Sequence, residues 1–215
     1  MQLFTNKHYQ VNDLCDNYGN YIVPNNCKGG IAVDIGCNNG RFIERYKDFF
    51  KEIHAYDANY FLIQKLKEEF DYENIFLNNY AVSDTDDKIL KLIKHKHNTD
   101  NGSFAINKSS LNDDWDSHTV ICEVKSISFN TIISNLNTID YLKIDCETSE
   151  YEFLMNKDLS KVKYIGMELH VQLGKERYTE LYNFISNTHE PNHVCTWQHH
   201  HHQELLFTNR HLLKL

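Results

Sequence analysis

The sequence predicts an α/β domain built on a mostly parallel sheet, and three observations lead there. From residue 31 onward, short apolar runs alternate with segments of helical period, the pattern of repeated strand–helix–strand units. The 215 residues are 41% hydrophobic and 24% charged, with two prolines and eight glycines. Such a chain can bury about 70% of its unfolded surface in one core, and it lies outside the disordered and low-complexity classes. Finally, the buried run Ile31–Ile35 passes directly into a turn bounded by Gly36 and Gly40 and then into a helical stripe.

Taken in order, residues 1–30, with Tyr9, Tyr18 and Tyr21, read as a docked N-terminal arm or a cap over the site, and residues 31–215 as the main domain. Strands are expected at Ile31–Ile35, Glu52–Tyr56, Ile75–Asn78, Asp140–Asp145, Tyr164–Leu169, His193–Gln198 and Glu204–Thr208. Phe42, Tyr46 and Phe49 share one face of a helix beginning near Gly40. Leu62, Leu66 and Phe70 repeat that arrangement in a second helix, with Lys65, Lys67, Glu68 and Glu69 on its wet side. Both stripes read as core packing. Ser149-Glu150-Tyr151-Glu152 predicts a third helix opened by a capping box, in which the Ser149 hydroxyl and the Glu152 carboxylate satisfy free amides. Lys175 to Ser186 predicts a fourth, with Tyr178, Leu181, Tyr182 and Ile185 on one side. The stretch from about residue 84 to 116 breaks the rhythm. It is polar, carries His95, His97, Asn98, Asn101, Asn107 and Asn112, and far exceeds an ordinary connection, so it reads as an insertion: a substrate lid or a surface excursion.

Composition excludes several functions. A formal net charge of -8 lacks the basic footprint of a protein that grips a phosphate backbone, so duplex nucleic acid is not expected as a partner. The six cysteines, at 15, 27, 37, 122, 146 and 195, include no pair with the two-residue gap of a thiolate zinc site or a redox dithiol. The first residues lack the apolar core of a signal peptide, and no apolar run of about 18 residues occurs. These features predict a soluble, cytoplasmic protein with free thiols and no membrane span.

Ile31-Ala32-Val33-Asp34-Ile35-Gly36-Cys37-Asn38-Asn39-Gly40 has the strand–turn–helix form in which a nucleotide-bearing cofactor approaches the backbone. Counting from Gly36, a dinucleotide fingerprint needs glycine at Asn38 and Arg41 and fails at both; no phosphate loop is present, since Gly174-Lys175 is followed by Glu176. The stretch instead resembles the first motif of S-adenosylmethionine-dependent methyltransferases, an acid, then glycine, then glycine, at Asp34, Gly36 and Gly40. Further on, Ala55-Tyr56-Asp57-Ala58-Asn59 puts Asp57 at the end of the second strand, where a carboxylate accepts from ribose hydroxyls; the competing reading of Asp57 is a helix N-cap. Ile139-Asp140-Tyr141-Leu142-Lys143-Ile144-Asp145-Cys146-Glu147-Thr148-Ser149-Glu150 is similar to the signature of FkbM-type methyltransferases. Supporting segments lie at Asn79 to Asp84, Ser126 to Ile133, Met167 to His170 and Gln203 to Phe207, so the resemblance covers about residues 29 to 210.

The resemblance implies a class I, Rossmann-like, seven-stranded methyltransferase sheet with helices on both faces. It also implies S-adenosylmethionine as cofactor and methyl transfer to a hydroxyl of a sugar, glycan or other small molecule. On that reading the cofactor lies against Asp34, Gly36, Cys37, Asn38, Gly40, Phe42, Asp57, Ala58, Tyr80, Ala81 and Asp145. The family usually has glycine where Thr148 stands, which puts the backbone before Glu150 in question. N-methylation on the same fold and a non-catalytic binding module are the rival readings. Against the first stands Asp145-Cys146-Glu147-Thr148, which is not the usual motif of nitrogen methylation; against the second stand the intact Asp34, Gly36, Gly40 and Asp57.

Strand alternation places Lys143, Asp145 and Glu147 on one face, and Glu168 with His170 on one face of the next strand. Ionisable groups on a buried strand are costly unless paired or used, and the carboxyl end of an open sheet is where ligands bind, so these residues are expected to be used. His170 is the first candidate for general base because an imidazole titrates near neutral pH. Asp145, Glu147 and Glu150 compete with it. Converging carboxylates could also seat Mg²⁺. The run His199-His200-His201-His202 reads as a solvated turn, and Trp115 and Trp197 as weak candidates for stacking on a ring.

Overall fold

The structure, a computed structural model, describes residues 14–15, 21–95, 118–195 and 202–212. Short strands β1 (Leu14–Cys15) and β2 (Ile22–Val23) pair antiparallel. The chain then runs through β3 (Ile31–Ile35), α1 (Arg41–Tyr46), β4 (Glu52–Tyr56), α2 (Tyr60–Glu69) and β5 (Ile75–Asn78). Next come β6 (Ala81–Ser83), β7 (Ile89–His95), β8 (His118–Ser128) and α3 (Phe129–Ser134). The second half holds β9 (Ile139–Ile144), α4 (Glu150–Leu154), β10 (Val162–His170), α5 (Lys175–Thr188), β11 (His189–Cys195) and β12 (His202–Asn209).

Seven strands form the main sheet in the order β11-β12-β10-β9-β3-β4-β5. The five from β10 to β5 are parallel, while β12 runs antiparallel to both of its neighbours. The order reverses between β3 and β9, whose register sets Asp34 opposite Lys143. In an open α/β sheet that reversal opens a crevice at the carboxyl ends of the strands. Alternation along the strands divides the core in two. Val33, Leu142 and Ile165 face α3, α4 and α5, whereas Ala32, Tyr141 and Tyr164 face α1, α2 and the buried Val23 and Cys27.

The first three strands of the sheet match their expected limits; other expectations need correction. The last hairpin begins four residues earlier than expected, because α5 ends at Thr188 and the next residue, His189, is already extended. Its polar sequence hid an edge strand, with Pro191 at a register shift, where a missing N–H costs least. Phe49 lies beyond α1. In α2 the core face is Ile63 and Leu66, with buried Phe70 just past the end, and Leu62 turns toward the crevice. The capping box does not form: Ser149 Oγ donates to the Cys146 carbonyl, 2.8 Å away, and makes no cap bond. The insertion was not foreseen as structure, yet its flanks form β7 and β8, which join β6 in a three-stranded sheet of order β6-β8-β7. Residues 96–117, with Trp115, and residues 196–201, with Trp197 and most of the histidine run, lie outside the described residues, as do Tyr9 and Tyr18.

Candidate active site

A crevice of about 220 Å³ opens at the carboxyl ends of β3, β4 and β9. Its floor is the turn after β3. Gly36 takes φ +79°, and a Cβ added there would overlap the Asp145 carbonyl oxygen, so only glycine lets the two strand ends meet. Asn38 N donates to Asp57 Oδ2 over 2.9 Å, and Asn59 N donates to Asp57 Oδ1 over 2.8 Å. Each carboxylate oxygen keeps a second lone pair for a ligand. Burial pushes the Asp57 carboxyl upward against the pull of those two amides. The N-cap of α2 is Asn59, whose Oδ1 accepts from Phe61 N, so the competing reading of Asp57 is set aside. Asn79 Nδ2 bonds the carbonyls of Asp57 and Ala58 and fixes the loop.

One wall is apolar: Ala58, Leu62, Ala81, Val82 and Leu92 line it, with Tyr80 beside them. Leu92 arrives on β7, so the sheet of the insertion supplies part of this wall. A second wall is acidic, with Asp145, Glu147 and Glu168, joined by Ser149. Leu62, Val82, Leu92 and Ser149 were missed in the sequence. Val82 and Ser149 lay inside segments already singled out, and Leu62 lies in the loop-proximal turn of a helix that follows Asp57, whereas Leu92 carried no signal.

Several expected residues stand outside the lining. The Phe42 ring stacks on Tyr141 at 5.8 Å in the core. The Cys37 side chain is buried and its amide donates to the Tyr56 carbonyl. Gly40, at φ +77°, opens α1 where a Cβ would strike Leu66 and Phe70. Lys143 is engaged behind the floor, where its Nζ donates to the Gly36 carbonyl at 2.7 Å and pairs with Asp34 Oδ1 at 2.9 Å, with Asp145 Oδ2 at 3.8 Å. Asp34 is fully buried in that pair. Burial works to discharge Lys143, but Asp34 and Asp145 hold its pKa above the usual lysine range.

The acidic wall is a graded set. Burial tends to raise Asp145, yet Lys143, hydrogen bonds from Glu168 and Tyr21, and His170 keep it below the usual range and therefore ionised. Burial and the Asp145 charge push Glu168 up to about 9, so it carries the proton between the two carboxyls. Buried Glu150 accepts from both Nδ1 and the backbone N of His170, at 3.0 and 3.1 Å, which aims Nε2 at Glu147 (3.7 Å) and Glu168 (3.9 Å). Burial opposes charge on His170, but Glu150, by its hydrogen bond and its charge, raises it to about 9, with Glu147 adding to the pull. These contacts favour the charged form of the ring, and Glu150 holds Nδ1. Glu147 is lifted to about 7, first by burial and then by Asp145 and Glu150 against the pull of His170. Both Glu147 (φ +50°) and Thr148 (φ +78°) are left-handed; the chain bends here as glycine would, with a β-branched residue in its place.

Asp145, Glu168 and His170 each offer one ligand atom, all within 4.8 Å of one another. Two carboxylates and an imidazole do not match the all-oxygen, octahedral demand of Mg²⁺, and Mg²⁺ finds no support here.

A seven-stranded sheet of this order, with a glycine turn after the first parallel strand and an acid at the end of its neighbour, defines the class I methyltransferase architecture. The chain belongs to the methyltransferase FkbM domain family, which matches residues 34–207. Methyltransferase FkbM from Methylobacillus flagellatus KT aligns with TM-score 0.50 at 12% identity, over 82% of this chain and 42% of that one. A dimethyladenosine transferase from Plasmodium falciparum aligns with TM-score 0.48 at 9% identity, over 86% and 57% of the two chains. TrmK from M. capricolum, solved with S-adenosyl-homocysteine, gives TM-score 0.47 at 12% identity over 84% and 62%. This chain thus spans less than two thirds of the length of these structures. No curated protein matches it.

Proposed function

We propose that this protein is an S-adenosylmethionine-dependent methyltransferase that methylates a hydroxyl of a sugar, glycan or other small molecule. The observation that carries the reading is the pairing of Gly36 and Asp57 at one crevice: a turn too tight for any side chain beside an acid held by two backbone amides. Family membership supports the cofactor. Asp57 would take the ribose, the wall of Leu62, Val82 and Leu92 the adenine, and the floor at Gly36, Asn38 and Asp145 the charged methionine end. Asp34 and Lys143 support that floor from behind.

The bound cofactor supplies an electrophilic methyl group, which passes to the acceptor oxygen while the carbon–sulfur electron pair returns to sulfur. The chain's part is to align the oxygen, exclude water and take up the hydroxyl proton. Glu147 is the proposed base: it borders the crevice and its pKa of about 7 suits a base at neutral pH. The His170 imidazolium, set by Glu150, steadies the Glu147 carboxylate, and neutral Glu168 donates to Asp145 so that the latter stays ionised. Residues 1–30 are read as an arm or cap and 31–215 as the methyltransferase domain, with an insertion at about 84–116 whose Leu92 lines the cofactor crevice. Free Cys27, Cys37, Cys122 and Cys146 support a reducing, cytoplasmic location. No helix among the described residues is long and apolar enough to cross a membrane.

Calorimetric titration with S-adenosylmethionine tests the reading. The wild-type chain should bind, and Asp57→Ala should weaken binding by about 1–3 kcal/mol, the cost of stranding polar partners. A wild-type chain that takes up no heat, with the crevice intact, would overturn the assignment.

A further inference from the structure

Ahead of Asp34, where the family match begins, the chain sets a side chain against Lys143 and Asp145, the second of which lines the crevice. Residues 21–27 are pinned to the sheet. Val23 and Cys27 are buried, Cys27 Sγ donates to the Asp140 carbonyl, and Asn26 Nδ2 donates to the Tyr164 hydroxyl over 2.6 Å. At the start of this segment Tyr21 is 7% exposed, and its ring lies over the Lys143 ammonium at 5.4 Å. Its hydroxyl hydrogen-bonds the side chain of Asp145, the carboxylate that borders the crevice next to Gly36. Lys143 spends its other contacts on Asp34, the Gly36 carbonyl and Asp145, and the Tyr21 ring covers the ammonium beside them.

We propose that Tyr21 is a positioning residue for Asp145, locking the carboxylate with its hydroxyl and capping Lys143 with its ring, so that the cofactor's charged end meets one fixed, ionised acceptor. The two contacts act together. A phenol donor holds one carboxylate oxygen and leaves the other for the ligand. A ring over the ammonium keeps water from a charge that would otherwise be solvated from that side, and so strengthens its pull on Asp145. The segment that precedes the family's domain therefore belongs to the cofactor site of this chain. That last step rests on the cofactor reading above; the link between Tyr21 and Asp145 does not.

The full chain and its Tyr21→Phe and Tyr21→Leu variants decide it through two measurements. In the first, the Asp145 carboxyl is followed by carbon-13 resonance against pH in the ligand-free protein. Tyr21→Phe keeps the ring and loses the donor, so the Asp145 midpoint should rise by about half to one unit; Tyr21→Leu should raise it further. In the second, S-adenosylmethionine is titrated calorimetrically, and Tyr21→Phe should bind about tenfold more weakly at near-native melting temperature. An unmoved Asp145 midpoint in Tyr21→Phe overturns the proposal, as does wild-type affinity in that variant, even if it melts earlier. Failure of the cofactor reading looks different: the wild-type chain then binds nothing, while the carboxyl titration still reports on Tyr21.

Discussion

Glu147 shows how one residue's chemistry depends on neighbours that sequence spacing cannot rank. Strand alternation was expected to put Lys143, Asp145 and Glu147 on a common face, but β9 ends at Ile144, Lys143 turns behind the floor, and it is the left-handed turn at Glu147 that brings this residue to the crevice beside Asp145. It was the charge states that stayed hidden. His170 looks like a neutral base in the sequence, but Glu150, twenty residues earlier, accepts from it twice and favours its charged form. Glu147 is left titrating at about 7. With any hydroxyl acceptor that the wild-type chain methylates, Glu147→Gln should lower turnover by about 10² to 10⁴ while S-adenosylmethionine affinity stays near wild type. The wild-type rate should climb as pH rises through about 7, since the base works only when ionised, and that limb should vanish in the variant. A Glu147→Gln enzyme that turns over normally would return the role of base to another group.

At the scale of elements, the strand-to-helix turn after β3 sets the site, and its demand on Gly36 is steric. Gly36→Ala combines a left-handed φ, costing about 1–2 kcal/mol, with a Cβ driven into the Asp145 carbonyl, which forces β3 and β9 apart for about 1–3 kcal/mol more. The variant should be about 3 kcal/mol less stable by denaturant unfolding and should lose cofactor binding; wild-type stability would mean that the two strand ends are not in contact. This turn was legible because a buried parallel strand is a short apolar run stopped by glycine, which is also why β3, β4 and β5 were placed to the residue. The hairpin of β7 and β8 was not. Ile89-Leu90-Lys91-Leu92-Ile93-Lys94 mixes apolar and charged residues without clean alternation, its ladder shifts register between Leu92 and Ile93, and its partner lies more than twenty residues away across a polar stretch. A pairing of that kind is decided by Ala58 and Ala81, which its Leu92 and Val124 cover, and that is tertiary information.

Across the whole molecule, the acidic wall ties stability to pH with a sign that can be worked out. His170 has its pKa raised from the ordinary 6.5 to about 9, so the stability it contributes is fully present below 6.5 and is lost as pH rises through 9. Glu168, raised from 4.5 to about 9, and Glu147, raised to about 7, also bind protons more tightly when folded, so each favours the folded state less as pH climbs across those windows. Opposing groups act elsewhere on the scale. The backbone amide of Ser128 holds Asp86 below the usual carboxylate range, with Thr131 and the Ser128 hydroxyl adding to it, and that contribution is lost only in acid. The melting temperature should therefore be highest at the acid end of this range, near pH 5, and fall by about 5 °C or more toward pH 9, taking about 2–4 °C per kcal/mol for a chain of this size. Glu168→Gln keeps a donor for Asp145 and removes one of the titrating groups, so its alkaline decline should be shallower than wild type. Scanning calorimetry of both proteins from pH 5 to 9 measures this directly. A wild-type melting temperature that is flat across the range would mean that the wall is more open to water than the burial of Glu150 and His170 requires, and the ionic pattern assigned to Asp145, Glu147, Glu168 and His170 would fall with it.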